Sequence, residues 1–173
     1  SEATKLALFM EVAERAEAQI GTDPKNANAY YFMAYALGRY SQGISVVKAL
    51  AQGLGAKVKV ALETAIALSP KHADAHIALG TFHAEVIDKV GSLLGRTQSA
   101  SKDAGLKMFK EALRLNPGSA IAMVEFANGL VIAGCSSDAD CFDGDACTVD
   151  SCNPSTCWCD YLPVESPECG YCG

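Results

Sequence analysis

Pro70-Lys71-His72-Ala73-Asp74-Ala75-His76-Ile77-Ala78-Leu79-Gly80 is the stretch that decides the fold, because two diverged copies of it occur elsewhere in the chain. The earlier copy, PKNANAYYFMA, spans 24–34, and the later copy, PGSAIAMVEFA, spans 117–127. The prolines that open the copies stand at 24, 70 and 117, which are 46 and 47 residues apart. Self-similarity at a nearly constant period of this size is typical of helical repeat arrays.

The segments that precede two of these prolines repeat as well, since LETAIALSP ends at Pro70 and FKEALRLNP ends at Pro117. Each unit therefore reads as two helices joined by a turn. We predict helices over residues 2–20, 28–40, 57–69, 73–90, 103–115 and 120–133, with Asn28 and Ser119 as N-caps. The pattern from Gly43 to Gly55 is ambiguous between helix and loop, and Gly91 to Lys102 is predicted as a loop or the frayed end of a helix.

The three copies fit a tetratricopeptide register. In that pattern an aromatic residue is followed by Leu-Gly at three and four and by a second aromatic residue at seven. The copies read Tyr30, Met33, Ala34 and Leu37; then His76, Leu79, Gly80 and His83; then Met123, Phe126, Ala127 and Leu130. The helices that follow read Val58, Leu62 and Pro70, and then Gly105, Phe109 and Pro117. On these residues the chain resembles a tetratricopeptide protein over roughly residues 1 to 133.

The resemblance implies which residues pack the repeats: Tyr30, Ala34, His76, Gly80, His83, Phe109 and Ala127. Gly80 takes the small-residue position where two helices approach closely, so Gly80→Leu is expected to be severely destabilising. The chain departs from the family in its period, which exceeds the standard repeat of about 34 residues. The extra residues fall in Gly43–Lys57 and Gly91–Lys102, which predicts elongated hairpins.

The composition changes abruptly at Gly134, and a Cys-rich tail follows over 134–173. All eight cysteines lie there: Cys135, Cys141, Cys147, Cys152, Cys157, Cys159, Cys169 and Cys172. An even number of closely spaced cysteines in a loop-rich stretch favours a disulfide framework and an oxidising location. The sequence leaves 105 pairings open. We therefore expect an all-α tetratricopeptide-like array over 1–133, followed by a small disulfide-stabilised, loop-rich tail.

Several other interpretations of the tail and the histidines remain open. Closely spaced cysteine pairs of the tail are an alternative set of ligands for a zinc ion. Cys169 and Cys172 have the spacing of a redox-active pair. A calcium site is a further alternative, with the carboxylates of Asp138, Asp140, Asp143 and Asp145. His76, His83 and Glu85 suggest a metal site, but both histidines fall where the family packs aromatic residues. His72 lies in a turn with no evident partner. We predict packing and no metal for the histidines.

Composition and motifs exclude several classes of function. No serine-hydrolase, zinc-protease or phosphate-loop motif is present, so we expect neither an enzyme nor a cofactor. No basic stripe interleaved with aromatic residues points to nucleic acid. No apolar run approaches the ~18 residues that span a membrane. The segment CFDGDACTVDSC resembles Cys-rich modules of secreted bacterial proteins, so an extracellular or periplasmic location is expected.

The last predicted helix is almost wholly apolar, although natural arrays usually end in a polar capping helix. Its candidate interface residues are Met123, Phe126, Leu130 and Val131. The net charge of −6 is uneven, because residues 135–173 hold eight acidic residues and no Lys or Arg. Such a chain is suited to meeting its own copies end to end.

We therefore expect a structural subunit that assembles head to tail with copies of itself into an extracellular filament. Fibre subunits built from tetratricopeptide-like units resemble it in this respect. The alternative is a secreted or periplasmic adaptor that binds a peptide or small solute in the concave face of the array.

Overall fold

The structure is a computed structural model that describes residues 1–97, 100–133, 148–153 and 158–163. These residues form seven α-helices and two β-strands: α1 (Glu2–Thr22), α2 (Ala27–Gln42), α3 (Val46–Ala51), α4 (Leu54–Leu68), α5 (Ala73–Thr97), α6 (Lys102–Leu115), α7 (Ala120–Ala133), β1 (Thr148–Asn153) and β2 (Trp158–Pro163). The chain divides into two compact units, Ser1–Gly129 and Leu130–Gly173. The predicted helical array is therefore present in the first unit.

Small polar side chains set where the helices begin. The Ser1, Ser45 and Ser101 hydroxyls accept hydrogen bonds from the exposed amides of α1, α3 and α6. Helix α2 begins at Asn26, whose Oδ1 accepts from Ala29 N–H at 3.1 Å. Each cap satisfies a backbone donor that has no partner within its helix. The prediction of Asn28 as the cap was therefore wrong by two residues.

The main packing pairs of the array are α1 with α2, α2 with α4, α4 with α5, and α5 with α6. The contacts between helices depend on alanine, because a small side chain lets two backbones approach closely. Ala36, Ala65 and Ala75 are fully inaccessible to solvent. A larger cluster joins α1, α2, α4 and α5, and a smaller one joins α5, α6 and α7.

The two segments that lengthen the hairpins contain more helix than the sequence suggested. The first contains α3, and Gly53 then turns the chain into α4 with a φ of 63°. The second was predicted as a loop or a frayed helix end from Gly91, but α5 continues to Thr97. That prediction was wrong because Leu93, Leu94 and Arg96 are good helix formers and outweigh two glycines.

The second unit contains an antiparallel pair of strands that was not predicted. Thr148 lies opposite Pro163, and Cys152 lies opposite Cys159 in the backbone register. The strand signal is weak, because Asp150, Ser151 and Asn153 are poor strand formers. The other six cysteines and the four candidate calcium ligands lie outside the described residues, so the disulfide framework stays a prediction.

Candidate functional site

Two of the predicted repeat-packing residues, Gly80 and Phe109, meet in the smaller cluster. The Phe109 side chain is 1 % exposed and lies between two glycines on neighbouring helices. A Cβ atom on Gly80 would lie 2.8 Å from Phe109 Cε1, and one on Gly129 would lie 2.5 Å from Cε2. The ring therefore occupies the space that the two glycines leave open, and no side chain fits at either position without a shift.

Two further packing residues behave as the repeat register suggests, and one does not. Ala34 is buried, and Tyr30 is partly buried against the larger cluster. Ala127 is exposed, which corrects its assignment to the core. Helix α7 packs instead through Ala122, Gly129 and the half-buried Phe126. Ala122 and Phe126 match Ala75 and Leu79 of the middle copy and pack as those residues do. Ala127 departs from the repeat register, and Gly129 makes the close contact with Phe109.

All three histidines have partners within the array. His76 and His83 are buried; Nε2 of His76 lies 3.0 Å from Pro70 O, and Nδ1 of His83 accepts from Ser101 N–H at 3.3 Å. Burial, assisted by Lys59 and opposed by Glu63, lowers the pKa of His83. His72, expected to lack a partner, caps α5 by accepting from Ala75 N–H and lies 3.0 Å from Asn28 Oδ1.

A groove of about 480 Å³ lies in the first unit. We call its lining residues from α2, α5 and the start of α7 the floor, and those from α3 and the start of α4 the wall. Its apolar lining includes Tyr31, Tyr35, Leu50, Phe82 and Ile121. A cavity of this size lies within the range that holds small molecules.

Two half-buried carboxylates lie on the groove floor. Glu85 accepts a hydrogen bond from Gln42 Nε2 at 2.6 Å, and Glu125 accepts one from Thr81 Oγ1 at 3.2 Å. Burial raises the pKa of Glu85; the charge of Glu125 adds to this effect, whereas Lys89 and the Gln42 hydrogen bond oppose it. Among the described residues, neither carboxylate forms an ion pair within 4.0 Å.

The outer helices of the array expose apolar side chains at both ends. On α1, Leu8 and Val12 are 56 % and 41 % exposed; we call this pair the N-terminal face. On α7, the exposed residues Met123, Val124, Ala127 and Leu130 form what we call the C-terminal face. Of the predicted interface residues, Met123 and Leu130 lie on this face. Phe126 instead packs against Phe109, with ring centroids 5.8 Å apart, which corrects its assignment.

The fourth predicted interface residue, Val131, lies in α7, but its side chain is outside the described part of the structure. Helices α1 and α6 also differ in charge. Helix α1 carries four carboxylates against two cationic side chains, whereas α6 carries four cationic side chains against two carboxylates. The cationic side chains therefore lie on the helix before α7, since α7 itself carries a single carboxylate, Glu125, and no Lys or Arg.

Across the described residues, no group of three or more metal-ligating side chains comes together. None of the described helices is long and apolar enough to cross a membrane.

Residues 1–139 match the model of a protein family described as regulator of microtubule dynamics protein 1-3. No curated protein matches the chain. The family match covers the whole array and ends shortly after α7.

Proposed function

The chain belongs to the regulator of microtubule dynamics protein 1-3 family, and on that premise we propose that it is a non-enzymatic structural subunit that assembles head to tail into a filament. Its repeats are tetratricopeptide-like in this proposal, with α2 and α4, then α5 and α6, as successive hairpins. The family description speaks of microtubule dynamics, but a shared fold does not carry a function by itself. The proposal therefore depends on the surfaces of this chain.

The observation that carries the proposal is the pair of exposed apolar faces at opposite ends of the array. Repeat units with uncovered terminal faces tend to stack on neighbours. Fully burying an exposed Leu, Val or Met contributes about 1.5–3 kcal/mol. Because Leu8, Val12, Met123 and Val124 are already partly buried, covering all four contributes on the order of 5 kcal/mol. This is comparable with the lower end of the cost of association, about 4–15 kcal/mol.

The acidic α1 of one copy and the basic α6 of the next, which packs in one cluster with α7, supply a further attraction and a polarity. Acidic α1 attracts basic α6 in a head-to-tail contact, whereas it repels the α1 of another copy. A contact between two unlike surfaces that does not close into a ring continues as an open filament. The unlike ends therefore favour a polymer over a symmetric dimer.

The proposed location is extracellular or periplasmic. The supporting observation is the concentration of all eight cysteines in the last 39 residues, since disulfide frameworks persist in oxidising compartments. Mass spectrometry under denaturing, non-reducing conditions should detect no free thiol in the native protein. Zinc-bound protein with eight alkylatable thiols would contradict this location.

Two end-blocking variants test the assembly. Leu8→Glu places a charge on the N-terminal face, and Met123→Glu places one on the C-terminal face. The matched control is Val60→Glu, because Val60 is 61 % exposed on α4, away from both faces. Light scattering and negative-stain microscopy at micromolar concentration should show filaments for the native chain and the control, and short species for each end variant.

Mixing the two end variants gives the sharpest readout. Each retains one intact face, so an equimolar mixture should form dimers that do not grow further. A native chain that stays monomeric, with its own tail covering the C-terminal face, would contradict the proposal. So would filaments formed equally well by both end variants.

A second candidate function is supported by the groove: an adaptor that binds a peptide or small solute on its concave face. The supporting observation is a cavity of about 480 Å³ with an apolar lining and two half-buried carboxylates. Because neither Met123 nor Leu8 lines this groove, binding and assembly use separate surfaces.

A further inference from the structure

We propose that the groove binds a small organic cation: a ligand with an aromatic or aliphatic body and one ammonium group that lies between Glu85 and Glu125. This inference deepens the second candidate function, the adaptor, and does not depend on filament assembly.

The apolar body of such a ligand matches the apolar lining of the groove. Tyr31 and Phe82 come from α2 and α5 on the floor, and Leu50 comes from α3 on the wall. Leu50 is 47 % exposed although it lines a concave surface, so it has apolar area available to a ligand. Tyr35, 45 % exposed on the same groove, offers an aromatic face to a cation.

The charge of the ligand follows from the floor. Glu125 accepts a hydrogen bond from Thr81, which lies one turn before Glu85 on α5, so the two carboxylates line the same part of the groove. Each has only a neutral hydrogen-bond partner, Thr81 or Gln42. A ligand ammonium between them supplies charge-assisted hydrogen bonds.

The cationic side chains of the groove act on Glu85 through their charge, but in the part of the chain that the structure describes they form no ion pair within 4.0 Å of either carboxylate. Arg39 and Lys89 line the cavity but are exposed, and Arg39 donates a hydrogen bond to Gln42 Oε1 at 3.0 Å. Asp74 is a third carboxylate on the lining. An anionic ligand would have to approach all three carboxylates, so the groove selects against it.

The test uses three probes with one skeleton and different charge: naphthylethylammonium, naphthylethanol and naphthylacetate. Isothermal titration calorimetry with the full chain at neutral pH measures each affinity. We expect the ammonium probe to bind about tenfold more tightly than the alcohol, since a hydrogen bond to a charged group is worth roughly that factor. The carboxylate probe should bind most weakly of the three.

Variants locate the effect. Glu85→Gln and Glu125→Gln should each reduce ammonium binding toward that of the alcohol and leave alcohol binding unchanged. Glu17→Gln, an exposed carboxylate of α1 outside the groove, is the matched control. Gly38→Leu should abolish binding of all three probes while the chain stays helical, because Gly38 lines the groove and a Cβ there meets nothing within 4 Å.

The outcomes distinguish the preference for a cation from the adaptor function itself. Equal binding of the three probes, lost in Gly38→Leu, would overturn the cation preference and leave the adaptor function standing. No binding of any probe would overturn both. Tighter binding of the ammonium probe that survives both glutamine variants would also overturn the inference, because the charge would then be recognised elsewhere.

Discussion

Phe109 shows how single residues decide the packing of this array. Its ring fills the gap between Gly80 and Gly129, so a side chain at either glycine must displace the ring or separate the helices. These two positions need glycine because the ring leaves no room for a side chain. Backbone conformation does not require it, since both positions lie within helices.

We expect Gly80→Leu to destabilise the fold by roughly 1–3 kcal/mol or more, since overpacking a core forces neighbours out of place. Urea denaturation followed by circular dichroism measures the change. Phe109→Leu in the same chain should restore part of the loss, because the smaller side chain vacates the space. An unchanged midpoint for Gly80→Leu alone would show that the helices are not packed in this register.

His83 predicts a pH dependence of stability. Its buried ring accepts a hydrogen bond and so is neutral in the folded state, and its pKa lies below the ordinary value of 6.5. The unfolded chain therefore takes up a proton first as the pH falls. The stabilising contribution is complete above about pH 6.5 and decreases as the pH is lowered through the folded pKa.

The measurement is the urea midpoint of the native chain and of His83→Phe over this pH range. Phenylalanine suits a position where the repeat pattern places an aromatic residue, and it does not titrate. The variant should lose less stability on acidification than the native chain. Parallel curves for the two proteins would mean that another group causes the acid sensitivity.

At this scale, the sequence predicts a packing residue well when the repeat pattern is strong. His76, Gly80 and His83 come from the least diverged copy, and all three are buried. Ala127 comes from the third copy, where the aromatic signals are lost, and it is exposed, whereas Ala122 and Phe126 of the same copy pack in the smaller cluster.

Among the elements, α3 is the one that the sequence left ambiguous. Six residues are too few for a stable isolated helix, so α3 depends on packing against α4. The chain reaches α4 through Gly53, whose positive φ disfavours any other residue. The turn between α3 and α4 therefore sets the wall of the groove.

Gly53→Ala should destabilise the protein by about 1–2 kcal/mol, because a Cβ is disfavoured in the left-handed conformation. Nothing lies within 4 Å of that Cβ, so the change in stability reports the cost of the backbone conformation without a steric clash. Gly38→Ala is the opposite control: it has equal space but lies inside α2, where alanine should stabilise by about 0.5–1 kcal/mol. Thermal denaturation of both variants should show shifts of opposite sign; shifts of the same sign would contradict this account.

For the whole molecule, the change of composition at Gly134 was visible in the sequence, and the groove was not. Any window along the chain detects this change. The groove brings together Tyr31, Leu50, Glu85 and Glu125, which lie on four helices and share no local motif. Only the way the hairpins stack places these residues side by side.

The salt dependence of assembly distinguishes the attraction between charged helices from the contact between apolar faces. The attraction between acidic α1 and basic α6 acts between exposed charges, and salt screens it over a length of about 10 Å at 0.1 M. Apolar contact through Leu8, Val12, Met123 and Val124 is not weakened in this way, and sulfate strengthens it. We therefore expect light scattering to show shorter filaments as sodium chloride is raised from about 0.01 M to 0.5 M, with partial recovery in sodium sulfate. Filaments that lengthen steadily with sodium chloride would show that the end charges repel, and the head-to-tail polarity would then need another cause.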